Sequence, residues 1–381
     1  MGRGQSSGSS RLRSKTRWRR RSLGTALPGR PIPATPIAPR RSPLPGVRDP
    51  LAARLRRQAE WCTRGGSPLY GLLLEKAAGD LEVEGPVWDV LRGFEDEPGT
   101  AAVALRFMAA VHRLVLDDSL PELAHYYPST GGVGDAHATW PVFRQALIDH
   151  RDAIRGLVAG GCQTNEVGRS AALLGGFLEV AHRTGLPLRI LEIGASAGLN
   201  LRWDRYRYVS GGGAWGEPGS RVTFAHNFDV PPPMNRSAEI AERKGCDLHP
   251  IDPTTGEGRL RLRSSIWADQ LGRLAQLDGA IEIASEVPVE VERLDAVSFL
   301  ERELARPSRG VATVVYHSVF MQYVGEPDRR RIAEVIAGGQ VFHLSLEPAD
   351  NTFEIRLDGE LLGTSGPHGT AVRWNVDSPP R

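Results

Sequence analysis

From Asp49 to about Gly185 the apolar positions fall at helical spacing. In "GTAAVALRFMAAVHRLVLDD", Val103, Phe107, Ala110, Val111 and Leu114 share one stripe. "VFRQALIDHRDAIRGLVAGG" repeats the amphipathic pattern and stops at a glycine pair. "DPLAARLRRQAEWCTRG" opens with Asp49 placed as an N-cap and Pro50 at the first helical position. "QTNEVGR" predicts the start of another helix, capped by Thr164 or Asn165, with Leu173, Leu174, Phe177, Leu178 and Ala181 on its apolar face. No period-2 alternation and no internal repeat interrupts this stretch, so 49–185 reads as a helical domain.

From Leu188 the rhythm changes to short apolar runs alternating with helical stretches. "LRILEIG", "GVATVVYHSVFMQ" and "QVFHLSLEP" predict strands, the second β-branched as in a buried parallel strand. "DAVSFLERELA" and "EPDRRRIAEVIAGG" predict helices. "TFEIRLDGELLGTSGPHGTAVRWNV" alternates around a "DG" turn and predicts a terminal antiparallel hairpin. The expected fold is therefore an α/β domain over 186–376, with a mostly parallel sheet and an antiparallel C-terminal hairpin. Residues 202–241, with "GGGAWGEPGSR" and "VPPPMNR" around a possible strand "RVTFAHNF", read as an insertion; a segment that long is often functional.

Charge divides the chain again. Residues 1–48 hold 12 Lys/Arg and no acid, which leaves 35 basic against 45 acidic residues in the rest. The arm is basic, then proline-rich, and lacks the apolar surface to order itself; it reads as a disordered tail able to bind polyanions weakly. The acidic body argues against a nucleic-acid partner for the folded part. No run of 18 apolar residues predicts a membrane span. Cys62, Cys162 and Cys246 lie far apart with no CxxC pair, which excludes a zinc ribbon and fits a reducing cytoplasm. Cys62 and Cys162 read as small buried hydrophobes. His249 and His368 are scattered without ligand spacing, so no metal is expected.

The densest chemistry lies in "LRILEIGASAGLNL". Glu192, Gly194 and Gly198 give E-x-G-x-x-x-G directly after a strand. Gly194 permits a sharp turn and close approach of a ligand, while Ala195, Ser196 and Ala197 keep that approach narrow. Gly198 is expected to let a following helix pack closely and offer free N–H groups, with Asn200 in its first turn. A dinucleotide fingerprint wants G-x-G-x-x-G, and Ser196 replaces its middle glycine. The loop thus resembles that of class I S-adenosylmethionine-dependent methyltransferases, whose acid leads into a Gly/Ala/Ser turn after the first strand.

That resemblance implies further positions. A carboxylate after the second strand would hold the ribose: Asp247 in "RKGCDLHPIDP" is favoured, ahead of Glu217, Asp229 and Asp252. Asp295 in "VERLDAV" would reach the adenine amine. The end of the fourth strand, "YHSVFMQY", would face the methyl group, which makes Tyr316 and His317 the catalytic candidates. Arg169 would meet the cofactor carboxylate, and Trp267, Asp269 and Gln270 would line a substrate pocket. Each of these also has an ordinary structural reading as a cap, a core anchor or a hydrogen-bonded strand-end residue. "GCQTNEVGRSAAL", "LEIGASAGLNLRWDRY", "GCDLHPIDP", "WADQLGRLAQLDGAI", "VVYHSVFMQY" and "PHGTAVRW" together resemble a bacterial family known only as a domain of unknown function, over roughly Leu51 to Trp374. It implies a methyltransferase-like Rossmann core behind a helical N-terminal part.

The expected function is an S-adenosylmethionine-dependent methyltransferase of the cytoplasm, acting on a small-molecule or protein acceptor. The alternatives are a non-catalytic binding or scaffold protein on the same fold and, less favoured, an NAD-type oxidoreductase. The sequence leaves the acceptor and the oligomeric state open.

Overall fold

Amphipathic spacing builds a run of helices over Asp49–Ala159. The computed structural model describes residues 49–375 except 162, 307 and 351, so the arm 1–48 and Cys162 lie outside the described residues. Helices α1 (Asp49–Arg64), α2 (Pro68–Glu82), α3 (Pro86–Leu91), α4 (Val103–Leu116), α5 (Pro121–Ala124), α6 (Ala136–Asp149) and α7 (Arg151–Ala159) form a layer around their own core. The whole stripe of α4 is buried there. "VFRQALIDHRDAIRGLVAGG" is two helices, not one. His150 leaves helical geometry (φ −117°), yet Phe143, Leu147, Ile154 and Val158 bury in the same core, which keeps the apolar pattern continuous. Cys62 is buried in it, and burial pushes its thiol up to about 12.

Helix α8 (Arg169–Thr184) departs from the expectation at its start. It opens at Arg169 after Gly168, with no side-chain cap, because Asn165 spends its carbonyl on the Leu199 N–H (2.9 Å). Its apolar face packs with the sheet rather than with α1–α7. Gly175 and Gly176 make that seating possible. A Cβ on the first would lie 2.3 Å from the Trp374 ring, and one on the second 2.2 Å from Leu344.

The remaining elements are β1 (Leu188–Ile193), β2 (Arg207–Ser210), β3 (Gly213–Trp215), β4 (Thr223–Phe224), β5 (Phe228–Val230), β6 (Ile240–Asp247), α9 (Gly256–Ser264), α10 (Leu271–Glu286), β7 (Glu290–Arg293), α11 (Ala296–Leu304), β8 (Ala312–Ser318), α12 (Glu326–Gly338), β9 (Phe342–Ala349), β10 (Thr352–Leu357), β11 (Glu360–Ser365) and β12 (Val372–Trp374). The main sheet runs β5-β12-β11-β10-β9-β8-β1-β6-β7. Strands β7, β6, β1, β8 and β9 are mutually parallel, and β9 to β12 pair antiparallel. Asp358 and Gly359 turn the β10–β11 hairpin with φ of +51° and +84°, the mirror-turn geometry that suits strand twist. The insertion folds as a small sheet, β3-β2-β4, and then sends β5 to the far edge beside β12.

All six residues of β1 are buried, and they alternate between two cores. Leu188 and Ile190 face α8 and α10, whereas Leu191 and Ile193 face α11 and α12. Helices therefore cover both faces, as an α/β fold with a mostly parallel sheet requires. The chain order reverses between β1 and β8, so the loops after these strands diverge and leave a crevice at their carboxyl ends. Among the described residues no helix is long and apolar enough to cross a membrane.

Candidate functional site

The crevice is a cavity of about 640 Å³ between the carboxyl ends of β1, β6, β7 and β8 and the helical layer. That volume suits a ligand of nucleoside size or larger. Glu192, Gly194, Ser196, Asp247 and Asp295 line one side, and Gln163, Asn165, Arg169, Trp267, Arg273 and His368 another.

The turn after β1 is held from several directions. Gly194, Ser196 and Gly198 have φ of +71°, +54° and +66°, and Ser196 adopts this left-handed conformation without being glycine. Asp247 fastens it: Oδ2 accepts from the Ser196 N–H (2.9 Å) and Oδ1 from the His249 N–H (2.8 Å). The Ala195 N–H donates to the Cys246 carbonyl (3.0 Å), the Gly198 N–H to the Ala195 carbonyl (2.7 Å) and the Leu199 N–H to Asn165. The free N–H groups expected at Gly198 are thus already bonded, and a 3-10 turn, Leu199–Arg205, stands where a helix was expected. The insertion explains this, because the chain must turn at once into β2 rather than cross the sheet. Asn200 is buried beside the loop and accepts from Ser170 Oγ (2.7 Å); neither it nor Ala195 lines the cavity.

Glu192 closes the floor. It is 2% exposed, and Tyr316 donates its hydroxyl to Oε2 (3.0 Å). Burial pushes its carboxyl up to about 8; the Tyr316 bond opposes that, and nearby Asp247 adds to it. Tyr316 reaches the cavity only through this contact, its ring packing edge-on against Phe177.

His317 points to the opposite face of β8. Its Nδ1 meets Glu347 Oε1 (2.7 Å) and its Nε2 meets His343 Nε2 (3.0 Å), so both ring nitrogens are engaged away from the cavity. The same Glu347 oxygen accepts from the Phe320 and Met321 N–H groups (2.9 and 3.2 Å). Burial drives the Glu347 carboxyl up, but the His317 and amide bonds more than offset it and hold it below the usual range. This clamp shapes the turn after β8, where Val319 has φ of +53°, a strained value for a β-branched residue at the cavity wall. Phe320 from that turn lies over Gly194: a Cβ there would sit 2.2 Å from the ring. Gly194 is therefore required by a protein neighbour, whatever ligand the loop faces.

The wall from Gln163 to Arg169 is polar and recessed. Glu166 is fully buried, pairs with Arg273 and lies 2.9 Å from His368 Nδ1. Burial raises its carboxyl, yet Arg273 and His368 outweigh this and hold it far below the usual range. Arg169 donates to the Pro367 and Ser318 carbonyls (both 3.3 Å) and makes no ion pair among the described residues. Burial lowers its affinity for its own proton. Among the described residues Ser196 Oγ, Gln163 Oε1 and Arg273 Nε are buried without a hydrogen-bond partner.

The other sequence candidates divide. Asp295 lines the cavity and caps α11 through the Ser298 N–H (2.9 Å). Trp267 lines it as well, whereas Asp269 turns toward the helical layer, accepting from Ser67 Oγ (2.5 Å) and the Leu69 N–H (3.1 Å) at the start of α2. Gln270 donates to the Gly65 carbonyl (2.6 Å). Arg261, Arg273, Leu248, Phe320 and Tyr323 line the cavity without having been singled out. Arg273 stacks on Trp267 across the turn that precedes α10, a contact no helical spacing announces. Among the described residues no three His, Cys, Asp or Glu side chains converge as metal ligands.

Residues 52–374 match the model of a family described as uncharacterised proteins conserved in bacteria, DUF2332. The chain belongs to that family. No curated protein and no solved structure matches it. The family match spans both the helical layer and the sheet, so every wall of the cavity lies within the family's extent.

Proposed function

We propose that the protein is a methyltransferase that binds S-adenosylmethionine at the carboxyl ends of β1, β6 and β7, on a Rossmann-like core. The observation that carries the reading is the convergence of Glu192, Asp247 and Asp295, from three successive parallel strands, on one side of a single cavity. The donor set fits the cofactor. Asp247 uses two of its roughly four acceptor positions on backbone N–H groups and keeps the others for ribose hydroxyls. Leu248, 61% exposed on the rim beside it, offers an apolar platform for a purine, with Asp295 adjacent. Arg169 faces the cavity as an unpaired cation suited to a carboxylate.

The cofactor supplies an electrophilic methyl group when bound, and the chain's own residues supply position and the exclusion of water. His317, with both nitrogens engaged elsewhere, does not act as a base in this reading; its part is to hold Glu347 and, through it, the turn carrying Val319 and Phe320. Nicotinamide dinucleotide chemistry is disfavoured, because the Ala195, Ser196, Gly198 and Leu199 N–H groups are already bonded and a 3-10 turn rather than a helix follows the glycine loop.

Calorimetry of the full chain with S-adenosylmethionine and S-adenosylhomocysteine tests the reading. Micromolar binding is expected, weakened about tenfold or more in Asp247→Asn, which retains an acceptor for the loop. No binding to folded wild type at millimolar ligand removes the methyltransferase reading. Gly194→Val is a poor probe, since the Phe320 ring fills its side-chain space and the backbone there is left-handed.

A further inference from the structure

The charged groups of the cavity are sorted by element. The carboxylates on its wall, Glu192, Asp247, Asp295 and Asp328, come from the ends of β1, β6 and β7 and from α12. The guanidiniums, Arg169, Arg261 and Arg273, come from the start of α8 and from α9 and α10. Arg261 is half-buried, and its guanidinium makes no hydrogen bond or ion pair among the described residues. Arg273 stacks on Trp267 (5.6 Å from its centroid to the guanidinium carbon) and leaves Nε buried without a partner. Gln163 Oε1, in the same wall, is also unpartnered. Behind this wall Glu166 pairs with Arg273 and lies against His368, and it makes no ion pair with Arg261 among the described residues. Apolar surface from Trp267, Ala102 and Leu105 completes it.

A buried donor without a partner costs free energy unless a ligand satisfies it, and a recessed guanidinium without a counter-ion favours an anion. Resting on the methyltransferase reading, we propose that the basic side of the cavity, at Arg261, Trp267 and Arg273, binds the methyl acceptor, and that this acceptor is a small organic carboxylate with a flat apolar body. The guanidinium fork matches a carboxylate, and Trp267 with its apolar neighbours takes the body. A phosphate is the poorer match, because the Ala195, Ser196, Gly198 and Leu199 N–H groups of the nearby loop are already bonded. The strand-end carboxylates take the hydroxyl-bearing cofactor, and the side chains of α9 and α10 take the acceptor.

The test is calorimetry of the full chain with benzoate, benzamide, benzylammonium and phenyl phosphate, each with and without saturating S-adenosylhomocysteine. Benzoate is expected to bind at least about tenfold more tightly than its neutral and cationic counterparts. Arg261→Gln is expected to bring benzoate down to the benzamide level at an unchanged unfolding temperature, because Arg261 holds no ion pair. Equal affinities, a preference for benzylammonium, absence of benzoate binding at ~50 mM, far beyond the millimolar affinity of a weak ligand, or an Arg261→Gln variant that binds benzoate as wild type does, overturns the proposal. Tighter binding of phenyl phosphate overturns the choice of carboxylate. Benzoate preference without S-adenosylhomocysteine binding retains the anion site and removes the methyltransferase reading; the reverse result removes the anion site alone.

Discussion

Strand β1 carries two buried ionisable side chains of opposite fate. Near its start Arg189 donates to Glu242 (2.8 Å), to Glu303 Oε2 (2.6 Å) and to the Glu303 carbonyl (3.1 Å). Glu303, with a side chain 1% exposed, is also met by Arg302 (3.0 Å), Arg306 (2.8 Å) and Lys244 (3.5 Å). Near the end of the strand Glu192 is equally buried but has only the Tyr316 hydroxyl. The first charge is fully compensated and ties β1, β6 and α11 together at the amino edge of the sheet. The second is left short of partners at the carboxyl edge, where the cavity opens. A compensated buried ion is a joint, whereas a buried carboxyl short of partners holds its proton and marks a candidate ligand site.

The sharpest way to break the contrast is to remove the joint. Arg189→Met removes the most deeply buried cation that Glu303 and Glu242 share and leaves them to Lys244 and Arg306 nearer the surface; the expected loss is about 3 kcal/mol in urea unfolding. Glu192→Gln acts in the opposite sense and depends on pH. The unfolded carboxyl titrates near 4.5 and the folded one near 8. Between those values the folded state keeps a proton that the unfolded state has lost, so wild-type stability falls as pH rises across this window. The variant lacks that slope: it matches wild type near pH 4.5 and exceeds it by more than about 1 kcal/mol above pH 8. Equal stability differences at pH 5 and pH 8.5 would show that Glu192 is ionised in the folded state after all.

What the sequence disclosed follows the range of the interactions. The helical layer, β1 and the β10–β11 hairpin carry local periodicity or turn chemistry that reveals them, and the glycine turn shows in its residue types although distant residues fasten it. Asp247 was reached through resemblance, because the insertion places about 50 residues between it and the glycine turn it fastens. Arg261 and Arg273 enter the cavity through packing of α9 and α10 against the helical layer, which no local pattern encodes. Tyr316 and His317 drew attention as strand-end residues. Yet side chains in a strand stand perpendicular to the sheet, so the two project to opposite faces. It is the last residue of the strand, Ser318, and the two after it, Val319 and Phe320, that meet the crevice.

Arg169 sharpens the comparison from the ligand's side. It donates only to two carbonyls, so Arg169→Gln is expected to cost about 1 kcal/mol of stability. S-adenosylhomocysteine binding is expected to fall about tenfold or more in the same variant. A stability loss like that of Arg189→Met, with binding unchanged, would make Arg169 a second joint rather than a ligand contact.

The smallest effect isolates the one partner Glu192 has. The Tyr316 hydroxyl donates to the carboxyl and favours its charged form, opposing the burial that raises it. Tyr316→Phe keeps the ring against Phe177 and removes only that donor, at a cost of about 1 kcal/mol or less. With the donor gone the Glu192 carboxyl titrates above 8, so the alkaline limb of the stability curve moves to higher pH. A carboxyl carbon NMR titration reads this directly. If Tyr316 served packing alone, the variant would lose stability evenly across pH and leave the Glu192 titration where it was. A shifted titration instead shows that a single phenol sets the charge at the cavity floor, where the amino edge uses four cations around Glu303.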